Sequence, residues 1–104
     1  MPEKEKRIRD NLCTEHLERY LGISESALKK VKIKVPEGSH LFKVAEDFFS
    51  MAKAYFSDAN FFFENGDYIN AFACVNYAHG WLDAGARLGL FDVGGDHNLF
   101  TLLE

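Results

Sequence analysis

The chain has 104 residues, 47% of them hydrophobic, with ten phenylalanines and a formal net charge of -4. That is enough for one domain around a single core, and too apolar for a disordered segment. A net acidic balance argues against general affinity for nucleic acid, which needs a net basic surface. The segment Met1 to Asp10 is too charged for an export signal, and no run of about 18 apolar residues marks a membrane span. A cytoplasmic protein without a membrane partner is therefore expected, with Cys13 and Cys74 kept as reduced thiols.

From about Glu3 to Lys34, one helical row holds Leu12, His16, Tyr20, Ile23, Ala27 and Val31. A flanking row carries Leu17, Leu21, Leu28 and Val35. Gly22 falls on the opposite, polar side, where a missing side chain does little harm to packing. The spacing predicts one long helix, kinked if anywhere at Gly22. The competing reading breaks the helix there and restarts it at the cap-like Ser24. Glycine costs about 1 kcal/mol relative to alanine in a helix interior, too little to decide. The run Lys29-Lys30-Val31-Lys32-Ile33-Lys34 reads as the solvated side and end of this helix, where lysines suit the dipole. Val35-Pro36-Glu37-Gly38 breaks the chain, since proline removes a donor and restricts the residue before it.

Leu41 to Gly89 then reads as a hairpin of two long helices. Leu41, Ala45, Phe48, Ala52, Tyr55, Ala59 and Phe62 alternate gaps of four and three, the seam of a helix packed on another. Phe42, Phe49, Phe56 and Phe63 form a second row, and the two merge into an apolar face of roughly 160°. A face that wide meets two neighbours. Ser39 is the expected N-cap, and Asn65-Gly66 the expected stop. Asp67 caps the next helix, whose seam is Tyr68, Ala71, Val75, Ala78, Leu82 and Gly85. Another side of that helix carries Cys74, Tyr77, Trp81 and Leu88, leaving only a narrow polar strip at Asn76, Asp83 and Arg87. Covering so much of it takes a further helix or a second chain. Phe61 misfits, lying on the polar side of its helix, and contact with the tail or a partner subunit would account for it. The bundle is expected over residues 1–93, followed by a tail at 94–104 whose Leu99, Phe100, Leu102 and Leu103 are apolar enough to dock.

Several stretches carry a family likeness. They are Ala45-Glu46-Asp47-Phe48, the run from Met51 to Ala59, Gly66-Asp67-Tyr68, and above all Asn76-Tyr77-Ala78-His79-Gly80-Trp81-Leu82-Asp83-Ala84-Gly85-Ala86-Arg87-Leu88-Gly89. Over roughly Ile8 to Val93 the chain resembles the archaeal domain of unknown function 357 family. The resemblance implies an archaeal source and a compact bundle of antiparallel helices, and it brings no activity with it.

Cys13, His16, Cys74 and His79 have helix-compatible spacings that invite a metal. Their place beside apolar rows reads better as core packing, since unreactive cysteine is among the most buried residue types. No metal and no cofactor is therefore expected. Asn76, His79, Asp83 and Arg87 make a better group, sharing one edge of the third helix with Asp83 and Arg87 spaced for an i, i+4 ion pair. They would bind a small anion or position a water, or else fix helix register through Asp47 or Asp58. The arginine–histidine spacing of helical HEPN-class nucleases fails except loosely at Arg9, and one hairpin is not a tetratricopeptide array.

The expectation is thus an all-α, antiparallel three-helix bundle with a long N-terminal helix and a short C-terminal tail. Its expected role is a non-enzymatic interaction or assembly module, favouring a homodimer and an unidentified protein partner. Phe61 and Trp81 are its anchors. The alternative is a small-ligand-binding or hydrolytic protein using the Asn76, His79, Asp83, Arg87 edge.

Overall fold

The computed structural model describes residues 7–102. Helices α1 (Thr14–Lys30), α2 (His40–Glu64) and α3 (Tyr68–Arg87) form an all-α bundle, with two short strands, β1 (Lys32–Ile33) and β2 (Phe91–Asp92). Among the described residues, no helix is long and apolar enough to cross a membrane.

The hairpin forms as its sequence dictates. The Ser39 hydroxyl accepts from the Phe42 N–H at 3.2 Å and donates to the Pro36 carbonyl at 2.6 Å, so the cap also fastens the preceding turn. At the far end Gly66 takes a left-handed conformation (φ 78°), and the Asp67 N–H turns back to the Phe62 carbonyl at 2.8 Å. The Asp67 carboxylate then accepts from the Asn70 N–H, which starts α3. Between the helices Ala45, Ala52 and Ala59 meet Ala71, Val75, Ala78 and Leu82, all essentially without solvent exposure. Small residues along this seam bring the two backbones close, and larger rings pack outside it.

The first helix departs from expectation. It spans 17 residues and is the shortest of the three. Residues 7–13 are not helical, and the part of the expected helix before residue 7 lies outside the described residues. Cys13 is the exposed N-cap and provides no side-chain capping bond, so apolar periodicity alone did not extend the helix upstream. Gly22 neither breaks the helix nor restricts its packing, because it faces open space. The buried stripe is Leu17, Leu21, Ser24 and Ala27. It is rotated towards the flanking row, which leaves Tyr20 half-buried and Ile23 36% exposed.

The lysine-rich segment is also corrected. The helix stops at Lys30, and Lys32 and Ile33 pair antiparallel with Asp92 and Phe91. The Lys34 N–H adds a further bond to the Leu90 carbonyl at 3.0 Å. Exposure alternates from Val31 to Val35, apolar residues inward and lysines outward. That two-residue period belongs to a strand, and valine and isoleucine suit it.

The ribbon places Phe91, only 2% exposed, against α3. A methyl group at Gly85 would overlap the Phe91 ring. The seam glycine therefore admits an aromatic ring from β2, as well as keeping α3 slender. One core cluster gathers Ala27, Ala45, Ala52, Leu82, Leu90, Phe91, Val93 and Phe100, and the other gathers Leu17, Leu21, Ala59, Ala71 and Val75.

Candidate functional site

Asn76, His79, Asp83 and Arg87 do share one edge of α3, and the chain's own tail lies along it. The His79 ring stands between α1 and the tail. Its Nε2 is 2.6 Å from the Leu99 carbonyl, which can only accept, so Nε2 carries a proton. Its Nδ1 lies 3.0 Å from the Ser24 hydroxyl. In the neutral ring Nδ1 accepts from that hydroxyl, which satisfies a serine only 2% exposed. The Thr101 N–H donates to the Asp83 carboxylate at 2.9 Å, and an Arg87 N–H reaches the Leu102 carbonyl at 3.5 Å. Phe100 is 3% exposed and packs beside the His79 ring.

The expected ion pair between Asp83 and Arg87 is absent among the described residues. Each group turns to a tail backbone group instead. Asp83 lies 3.8 Å from His79, too far for a hydrogen bond. Asp47 and Asp58 are exposed on α2, and neither provides the cross-hairpin register bond. Asn76 is exposed and borders a hollow of about 330 Å³ between α1, α3 and the tail.

Ser24, His79 and Asp83 stand close enough to suggest a nucleophile and base, but their geometry does something else. Ser24 is only 2% exposed, and the ring nitrogen that a triad gives to the carboxylate is bonded to Leu99. The arrangement fastens the tail to two helices. Sequence reasoning missed Ser24, which entered only as the cap in the competing reading of a restarted helix. The available signal was a polar residue seven positions after Leu17 and three after Leu21, within the apolar stripe.

The tail's entry turn is set by Asp96. Its carboxylate accepts from the N–H groups of Asn98 and Leu99 and pairs with Lys30 at 3.1 Å. The Lys30 hydrogen bond, helped by those two N–H groups, holds the Asp96 carboxyl below its ordinary value.

The other flank of α3 faces away from α1. Tyr77, 51% exposed, packs edge-on to Tyr55 with ring centres 4.5 Å apart. Trp81 is half-buried between Tyr77 and Phe48. Its indole N–H is the buried side-chain polar group that finds no partner among the described residues. A shallow hollow of about 210 Å³ here is lined only by Phe48, Tyr77, Gly80, Trp81 and Ala84, all from α2 and α3. Phe61 is 61% exposed on the outer side of α2, its ring edge-on to Phe62. The tail docks on α3, so it does not cover Phe61. Among the described residues, no three of Cys13, His16, Cys74 and His79 come together as a group that could hold a metal ion. Burial raises the Cys74 thiol above the ordinary value, and the charges of Asp58 and Asp67 push the same way.

Two flanked helices, one side latched by a tail and the other open and aromatic, define a small all-α hairpin bundle. The family model for a protein of unknown function, DUF357, matches residues 19–91, and the chain belongs to that family. No curated protein and no solved structure matches the chain.

Proposed function

We propose that this protein is a non-enzymatic interaction and assembly module that pairs with a second copy of itself through the open flank of α2 and α3. The observation that carries the reading is the aromatic row Phe48, Trp81, Tyr77 and Tyr55, with Tyr77 exposed, the other three rings half-buried, and a shallow apolar hollow between them. Leu41 and Leu88, at 52% and 66% exposed, extend it along the hairpin. A contiguous apolar surface of this kind marks an association site, and aromatic residues dominate the energetics of such interfaces. A twofold pairing lays the same patch on both subunits and closes the assembly at two. Tyr77 takes the role of exposed anchor beside the half-buried Trp81, and Phe61 stays outside this patch. The setting proposed is the cytoplasm, in the archaeal source implied by the family resemblance.

Sedimentation equilibrium tests the reading. The unaltered chain is expected as a dimer at micromolar concentration. Tyr77→Glu is expected as a monomer with unchanged helical circular dichroism, losing about 1 kcal/mol of stability at most. A strict monomer for the unaltered chain at high concentration would end the proposal. The hollow beside Asn76 and His79 supports the alternative of small-ligand binding, which predicts a thermal shift with a metabolite or nucleotide that disappears in His79→Ala.

A further inference from the structure

The segment from Asp96 to Leu102 lies in the cleft between α1 and α3 as a bound peptide would. Most of its grip is on main-chain groups: the Leu99 carbonyl at His79, the Thr101 N–H at Asp83 and the Leu102 carbonyl at Arg87. One side chain supplies the anchor, Phe100, buried in the core cluster with Ala27 and Leu82. Asp96 shapes the entry turn and pairs with Lys30. Main-chain bonds for grip and a pocketed ring for anchorage are how grooves recognise extended peptides. The groups that bond the tail belong to α1 or α3, and the cluster around Phe100 adds Ala45, Ala52 and Phe91. The cleft therefore offers the same contacts to an identical tail arriving from another molecule. The exposed Gly94-Gly95 joint, with φ of 67° and 69°, is the place where a tail swings out.

We infer that the α1–α3 cleft is a receptor for an extended, phenylalanine-anchored peptide, and that its ligand in trans is the tail of a second copy of this chain. Exchanging an identical element preserves every contact of the closed form, which makes it a low-cost route to a dimer. This surface is distinct from the aromatic flank, so the two readings stand or fall separately.

The test uses a fluorescent peptide of residues 94–104 and the full chain carrying Phe100→Ala, which empties the anchor position. Anisotropy is expected to show binding roughly a hundredfold tighter than to the unaltered chain. There the tethered tail competes at about millimolar effective concentration. Adding His79→Ala and Asp83→Ala to the Phe100→Ala chain should abolish binding. Far-UV circular dichroism checks the fold first, and Phe100→Leu replaces Phe100→Ala if helicity is lost. In a second arm, the Phe100→Ala chain is mixed with a His79→Ala, Asp83→Ala chain, both carrying Tyr77→Glu to disable the aromatic flank. Each alone is expected as a monomer and the mixture as a mixed dimer, with one intact tail in one intact cleft. Absence of peptide binding to the folded variant overturns the inference. So does peptide binding without a mixed dimer.

Discussion

The two flanks of the α2–α3 hairpin have similar aromatic content and different cover. On one flank Phe49, Phe56 and Phe63 meet α1, the ribbon and the turn into α3, and the large side chains Leu17, Phe91 and Phe100 close the gaps. On the other flank Phe48, Tyr55, Tyr77 and Trp81 pack on one another, the first, second and fourth half-buried and Tyr77 exposed. The contrast shows that covering elements, more than local hydrophobicity, decide which rings become core. One helix, one ribbon and one tail can wrap one side of a hairpin. The second side is the one proposed above to meet a second copy.

Substitutions on the covered flank should reduce stability, and those on the open flank should mainly change association. The largest effect is expected for Phe91→Ala, a loss of about 3–5 kcal/mol in urea unfolding, as for other buried phenylalanines. A loss below about 1 kcal/mol would mean the ribbon is peripheral to the core. Gly85→Ala tests the same contact from the other side. Its methyl must displace a ring held between helix and strand, for an expected loss of about 1–3 kcal/mol in the same assay.

Acidification should loosen the tail through Asp96. Asp96 has a folded-state value below its unfolded one, so its contribution is complete above the unfolded value and disappears as pH falls through the folded one. The Thr101 amide resonance should therefore move towards its undocked position at the acid end while the helical signal persists. Asp96→Asn should remove the portion of this response that depends on the carboxylate. The smallest effect belongs to the open flank. Trp81→Phe deletes a buried N–H that has no acceptor among the described residues, and most of the ring packing remains, so stability should change by less than about 1 kcal/mol.

Much of the hairpin was legible because each of its signals is local. Ser39, Asn65-Gly66 and Asp67 perform the roles their positions predict, and the alanine seam is the buried seam. The first helix was legible in kind but not in extent. Apolar spacing continues through residues 7–13, yet a helix also needs partners for its buried face, and α1 begins only at Thr14. The strand at Lys32 was hidden because its partner lies far along the chain, and a two-residue alternation is a short signal. For the polar edge, sequence placed all four residues together on α3 and missed what they hold. Backbone groups of the tail carry no residue-type signature, so the bonds at His79, Asp83 and Arg87 could not be read from side chains. Ser24 was missed for a related reason, since its place in the apolar stripe makes sense only once His79 faces it.

The pairing of Lys32 with Asp92 has a kinetic meaning. These residues lie sixty positions apart in the chain, 92 minus 32, while α2 and α3 are joined by a turn of three residues, Asn65 to Asp67. Loop-closure entropy favours the neighbouring pair first. The ribbon should therefore zip late, onto a hairpin already standing. Its loss should speed unfolding far more than it slows refolding.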